Sequence, residues 1–211
     1  MVLSDVSRTK PNSAKAKIDE SEIILRRILK TSPQDLWLDT IRRAHDDKHN
    51  TLIYWMLNQT ECDFAIAAHA FYRADPTKYL DEPMPLPSRP GPSDIFAFIL
   101  LNWDIGSYRT HQLAVEEKDA PSRLVARVNQ KVMVRPRSSL PFNIPERFLR
   151  PEGGRRMQLP PYQSPENARH LWPIYAKLGL DVPAAAPGFK RKLAQAKTLF
   201  ARLTRRERKA P

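Results

Sequence analysis

The sequence predicts a mainly α-helical fold: a single irregular helical domain with proline-rich connecting segments and a C-terminal basic helix. Apolar residues recur at spacings of three and four along most of the first 134 residues, which is the period of an amphipathic helix. A start signal, Ser-Pro followed by polar residues, occurs at residues 32–35 and again at 164–167. Serine can cap such a helix, and proline suits its first turn. Twenty prolines interrupt the helical segments.

The individual helices follow from the apolar spacing and from the residues that precede each segment. Asp63 is placed to cap one helix, and Ser93-Asp94 restarts another after an extended loop that holds five prolines within residues 81–92. The apolar run at 52–57 allows a helix or a strand, and its helical neighbours favour a helix. Helices are predicted over residues 18–30, 32–44, 50–57, 64–73, 93–101, 108–116 and 123–132.

Four segments differ in character along the chain. Residues 1–17 are polar and lack aromatic residues, so they are predicted to form a disordered arm. Residues 18–134 form the helical domain. Residues 135–180 are predicted to wrap over it, pinned by apolar side chains, with a helix that kinks near a proline and ends at a glycine. The apolar residues predicted to hold this segment on the domain are Phe142, Ile144, Phe148, Leu149 and Tyr162. The helix is predicted to kink near Pro173 and to end at Gly179. Residues 188–211 are predicted to form a basic amphipathic C-terminal helix.

Composition excludes several functional classes. The six glycines have no spacing that makes a dinucleotide-binding turn or a Walker loop. One cysteine, Cys62, excludes an internal disulfide framework and a cysteine-only zinc site, and it fits a reducing compartment, so a cytoplasmic location is expected. There is no apolar run long enough for a transmembrane segment and no apolar core of a signal peptide.

The net charge of +12 is concentrated in two segments. Residues 1–122 carry a net charge of −3 and residues 157–187 are neutral. Residues 123–156 carry nine Lys/Arg against two Asp/Glu, and residues 188–211 carry nine against one. Clustered positive charge creates a field that attracts nucleic acid, acidic protein or anionic lipid.

The C-terminal helix is the strongest functional candidate in the sequence. Its apolar residues, spaced four and three apart, form a narrow seam: Phe189, Leu193, Ala196, Phe200 and Leu203. The candidate partner-binding residues are Lys190, Arg191, Lys192, Lys197, Phe200, Arg202, Arg205 and Arg206. Such a helix can enter a partner's groove, contact nucleic-acid phosphates or lie on an anionic membrane surface. The alternative is a tail that docks on its own domain and leaves its charge in water.

Catalytic and metal-binding patterns are weak. His45 and His49 have the i, i+4 spacing of zinc ligands on a helix, but no third ligand follows at a recognisable spacing, so a solvated helix end is favoured. Cys62 could act as a nucleophile with His69 or His111 as its base, although a lone cysteine more often packs as a small apolar side chain. We therefore expect a protein that is not an enzyme and that needs no cofactor or metal.

The most distinctive local string is the aromatic turn at residues 102–108. Trp103, Asp104, Gly106 and Tyr108 could form a surface corner that binds a ligand. The alternative is that the two aromatic side chains close the core around a turn.

Residues 36–118 resemble a bacterial family of unknown function, DUF 4274. The resemblance rests on the string CDFAIAAHAFYRADP at residues 62–76, on Tyr79 after it, and on the glycine–aromatic corner at residues 106–108. The family has glycine and threonine within the helix where this chain has residues 65–67, Ala-Ile-Ala. The resemblance implies a small α-helical bacterial protein without an established activity, and some relatives look like accessory or immunity-type proteins.

These observations lead to a functional expectation. The protein is expected to be a non-enzymatic accessory or immunity-type protein that binds another protein. The alternative is binding to nucleic acid or to an anionic membrane surface through residues 188–211.

Overall fold

The structure, a computed structural model, describes residues 19–135, 139–158 and 165–182. The described residues form α-helices and no named strand, which confirms the mainly α-helical class. The helices are α1 (Glu20–Lys30), α2 (Gln34–Arg42), α3 (Asn50–Leu57), α4 (Phe64–Arg73), α5 (Pro76–Asp81), α6 (Ile95–Asp104), α7 (Ser122–Val134), α8 (Glu146–Leu149) and α9 (Pro165–Leu178). The predicted arm at 1–17 and basic helix at 188–211 lie outside the described residues. Among the described helices, none combines the length and the apolar character needed to cross a membrane.

Helix α4 lies at the centre of the fold. All of its residues except His69 and Arg73 are buried, and it contacts α2, α3 and α6. Its alanines leave room for these neighbours to approach closely. Asp63 caps α4 as predicted, because its side chain accepts a hydrogen bond of 2.9 Å from the backbone N–H of Ala65.

The junction between α1 and α2 differs in detail from the sequence prediction. Pro33, not Ser32, precedes α2 at the cap position, and no side chain caps that helix. The hydroxyl of Ser32 instead donates to the carbonyl of Ile28, so Ser32 helps to end α1. Helix α2 is then fixed on α1 by Trp37, whose indole N–H donates to the carbonyl of Leu29 at 2.8 Å. The predicted helix after Ser32-Pro33 is present, but the prediction that Ser32 caps it is wrong.

The predicted short helix at 108–116 is wrong. This segment is extended and pairs with two distant parts of the chain. The N–H of Phe64 donates to the carbonyl of Thr110 at 2.8 Å, and Ala114 and Arg155 are joined by a backbone hydrogen bond of 2.7 Å. Since these long-range hydrogen bonds satisfy the backbone, local helical preference does not decide the conformation.

Residues 139–158 belong to the segment predicted to wrap over the domain, and they contribute Ile144 and Phe148 to the buried core. Phe148 is fully buried, and its ring lies 5.2 Å from that of Phe64 and 4.7 Å from that of Phe71. The end of the wrap is held by Arg155, which donates from two nitrogens to the carboxylate of Asp35 on α2. The short helix α8 within the wrap was not predicted, nor was α5.

Helix α9 contacts α1 and completes the described fold. Pro173 lies inside it, and Gly179 follows its end with a φ of +71°, as the sequence predicted. Tyr175 is buried, and its hydroxyl lies 2.6 Å from that of Thr40 on α2. Tyr162, predicted to pin the wrap, lies outside the described residues.

We expect Gly154→Ala to destabilise the protein. A Cβ atom there would stand 2.4 Å from the carbonyl oxygen of Gln112 and 2.5 Å from that of His111, and backbone atoms cannot move aside without breaking the pairing. The expected loss is about 2 kcal/mol, or roughly 4–8 °C in Tm by thermal unfolding.

Gly91→Ala is the matched control for this variant. No atom lies within 4 Å of the Cβ position at Gly91, so its stability should change by no more than about 0.5 kcal/mol. Equal losses in the two variants would contradict the close approach of residues 111–115 to residues 153–155.

Candidate functional site

The candidate partner-binding residues of the C-terminal helix, Lys190 to Arg206, lie outside the described residues. The functional role predicted for them therefore stays a prediction. The described part of the chain contains the other candidates from the sequence, and it also contains a surface groove that the sequence analysis did not identify.

Only some residues of the aromatic turn at 102–108 are exposed at the protein surface. Tyr108 is 1 % exposed, and its hydroxyl donates to the carbonyl of Leu57 at 3.0 Å, so it belongs to the core. Burial raises the pKa of Tyr108 far above its usual range. Gly106 has a φ of +95° and is exposed, like Asp104. Trp103 is half-buried, with the guanidinium of Arg109 4.0 Å from its ring centre.

His45 and His49 do not share a helix face. His45 precedes a short 3-10 helix (Asp47–His49), and its ring lies 2.8 Å from the carboxylate of Asp181. His49 is 5 % exposed, and its ring lies 2.9 Å from the carbonyl of Leu178. The interpretation of this segment as a solvated helix end is therefore wrong for His49, which connects the segment to α9. No group of three or more metal-ligating side chains is present in the described ranges.

Cys62 is completely buried directly before α4. Burial raises the pKa of its thiol well above the usual value, and the neighbouring carboxylate of Asp63 raises it further. Its sulfur lies 3.8 Å from the carbonyl oxygen of Asp63. The ring of His69 instead makes a hydrogen bond to Asp119, and the ring of His111 lies against Phe64. These surroundings favour the packing interpretation of Cys62.

A large groove lies between the C-terminal half of α7 and the loop that carries α8. We call it the α7–α8 groove. It has a volume of about 810 Å³, within the range of roughly 300–1,000 Å³ for ligand-binding clefts. Its lining residues are Asn129, Val132, Met133, Arg135, Leu140, Pro141, Phe142, Asn143, Ile144, Glu146, Leu149 and Arg150.

The two walls of the groove are tied together by a side-chain hydrogen bond. The amide of Asn129 on α7 donates to the carbonyl of Leu149 on α8 at 2.8 Å. Phe142 on the opposite wall packs edge-on against Phe96, with ring centres 5.5 Å apart. The walls are therefore anchored to the core, and the groove is preformed.

The C-terminal end of α7 carries apolar side chains that are exposed to solvent. Val128 is the one fully buried residue of this 13-residue helix. Met133 and Val134 at its end are 77 % and 78 % exposed. These two exposed apolar side chains stand at the end of the helix that forms one wall of the groove.

The charge around the groove is positive. Arg135 and Arg150 line it together with Glu146, which lies 3.4 Å from Arg150. Five arginines of the basic segment have no carboxylate at ion-pair distance within the described ranges: Arg123, Arg127, Arg135, Arg147 and Arg156. The basic segment 123–156 therefore presents positive charge beside exposed apolar side chains.

One sequence signal could have indicated this surface. Val132, Met133 and Val134 are consecutive at the end of an amphipathic helix, and three consecutive residues of a helix point in different directions. They cannot all face one core, so at least one of them must be exposed or must contact a partner. The opposite wall, residues 140–149, could not be assigned to the groove from sequence spacing.

Comparison with known proteins found no matching protein-family model, curated protein or solved structure. The resemblance of residues 36–118 to the DUF 4274 family therefore stays a prediction from the sequence.

We expect the thiol of Cys62 to resist modification in the folded protein. Full burial and a raised pKa leave little accessible thiolate at pH 8. A chromogenic disulfide reagent should therefore release its chromophore at least about a hundredfold more slowly than from a model thiol. The same protein in denaturant should react fully, which provides the control. Rapid reaction of the native protein would show that the site opens and would restore Cys62 as a candidate nucleophile.

Proposed function

We propose that this protein is a non-enzymatic interaction protein of the bacterial cytoplasm, of the accessory or immunity type, that binds another protein through the α7–α8 groove. The observation that carries this proposal is the combination of a preformed groove with the exposed side chains of Met133 and Val134 beside it. Apolar side chains that enter a groove and displace water supply most of the affinity in protein interfaces.

The charge of the surface indicates the chemistry of the partner. The segment that forms the groove, residues 123–156, carries a net charge of +7. An acidic segment with apolar anchor residues matches both its positive charge and its apolar surface, and opposite charges also accelerate association. The C-terminal segment 188–211, with a net charge of +8, would be repelled as an occupant. A second copy of the chain, at +12, is disfavoured for the same reason.

Substitution of Met133 tests the groove. Met133→Asp places a negative charge at an exposed apolar position, where it should leave folding unchanged but repel an acidic partner. We expect the dissociation constant for the partner to rise at least about tenfold, measured by calorimetry with the purified partner. The partner is first identified as a stoichiometric protein captured by the full-length chain and retained after nuclease treatment.

Met84→Asp is the matched control. Met84 is 71 % exposed and lies in the proline-rich loop at 81–92, outside the groove lining. The proposal requires that Met84→Asp binds the partner like the unmodified protein. Equal weakening by the two substitutions, or no weakening by Met133→Asp, would show that the α7–α8 groove is not the binding surface.

The alternative, nucleic-acid binding through residues 188–211, has its own test. If this tail contacts about six to nine phosphates, the slope of log affinity against log salt should be about −5 to −8. The slope is measured by fluorescence anisotropy with labelled duplex DNA for the full chain and for a chain ending at residue 182. A flat slope, or equal affinity of the shortened chain, would exclude this alternative.

A further inference from the structure

A second cavity lies away from the α7–α8 groove, beside α2, α4 and the turn that precedes α7. Its volume is about 330 Å³, enough for a small molecule. The lining residues are Arg42, His45, His69, Tyr72, Arg73, Lys118, Asp119 and Pro121. Asp119 is the one carboxylate residue among them, against three Lys/Arg.

Asp119 accepts the hydrogen bonds that hold the wall of this cavity in place. Its side chain is completely buried and receives hydrogen bonds from two nitrogens of Arg42, from the backbone N–H of Glu116 and from the ring of His69. Burial alone would raise the pKa of Asp119, but the hydrogen bonds from His69 and Arg42 outweigh it and hold the pKa below the usual value. The carboxylate is therefore ionised at neutral pH and is already neutralised by Arg42.

This network fixes the orientation of His69. Nδ1 of His69 lies 3.1 Å from the Asp119 carboxylate, and because that carboxylate can only accept, Nδ1 carries a proton. Nε2, on the opposite side of the ring, has no hydrogen-bond partner in the part of the chain that the structure describes. A buried carboxylate thus holds a histidine whose second nitrogen is available at the cavity wall.

Arg73 contributes a positive charge that has no ion-pair partner within the described ranges. Its guanidinium donates to the carbonyls of Ala44, His45 and Asp46 and to the side-chain oxygen of Asn50. These four acceptors are neutral, and they occupy four of the five N–H donors of an arginine. The carboxylates of Asp47 and Asp46 also favour the charged form of Arg73, although neither lies at ion-pair distance, and an anion bound nearby stabilises that charge further.

We propose that this cavity binds a small molecule through an oxyanion group, a phosphate or a carboxylate, which contacts Nε2 of His69 and lies between the positive charges of Arg73 and Lys118. When the imidazole carries both protons, Nδ1 donates to Asp119 and Nε2 donates to the oxyanion. Lys118 is 55 % exposed at the rim, where Glu116 lies 3.2 Å from it, and its flexible side chain can reach an entering anion.

Inorganic phosphate and acetate are the two probes for this site, added separately to the full-length protein at pH 6 and constant ionic strength. The Cε1–Hε1 signal of His69 is followed by NMR and is assigned by its absence in His69→Asn. A saturable shift of this signal supports the site, and the probe that produces it distinguishes phosphate from carboxylate ligands.

Lys118→Glu and Lys30→Glu form a matched pair of charge reversals. Both lysines are exposed, but Lys30 lies at the end of α1, outside the cavity lining. We expect Lys118→Glu to raise the dissociation constant of the shifting probe at least about tenfold, while Lys30→Glu leaves it unchanged.

Two results would overturn the proposal. One is the lack of a saturable shift of the His69 signal with either probe up to about 50 mM, well above the ~1 mM dissociation constant of a weak small-molecule site. The other is equal weakening by Lys118→Glu and Lys30→Glu, which would indicate attraction by net charge alone. Neither result depends on Met133 or on a protein partner, so this test is independent of the proposed function.

Discussion

The buried carboxylate of Asp63 is the interaction on which the arrangement of the helices depends. One of its oxygens caps α4 through the N–H of Ala65, and the other accepts from the N–H of Gln112 at 2.7 Å. The N–H of Asp63 itself donates to the side chain of Gln34 on α2. Burial raises the pKa of Asp63, and these backbone hydrogen bonds oppose that shift. One residue, through its side chain and its backbone N–H, therefore joins α2, α4 and the extended segment 108–116.

Once α4 is fixed in this way, the later part of the chain can pack on it. Phe148 lies against Phe64 and Phe71 and brings the wrap of residues 139–158 across the domain, where Arg155 binds Asp35. Helix α7 contacts α5 and α8 but buries little of its own surface. Residues 139–158 are anchored in the core, whereas the end of α7 projects beyond the core. The groove lies between these two parts of the chain.

The two candidate surfaces are built from opposite kinds of chemistry. The α7–α8 groove offers apolar side chains and positive charge, which suits an acidic segment of a protein. The smaller cavity is lined by a network in which Asp119 orients both Arg42 and His69, which suits a single polar group of a small molecule. Residues 119–122 lie between the two sites, because the turn that carries Asp119 leads directly into α7.

The sequence alone determined where most helices lie, because helical period and capping are local properties of neighbouring residues. The buried helix α4, its cap at Asp63 and the end of α9 at Gly179 are all predicted correctly in this way. The tertiary structure alone decided that residues 108–116 are extended, because their hydrogen-bond partners, such as Phe64 and Arg155, lie more than about 40 residues away on either side. The same holds for both candidate sites. Asp119 and His69 are 50 residues apart, and the two walls of the groove come from separate elements. Contacts at such separations depend on how the helices pack, and no local pattern of residues encodes them.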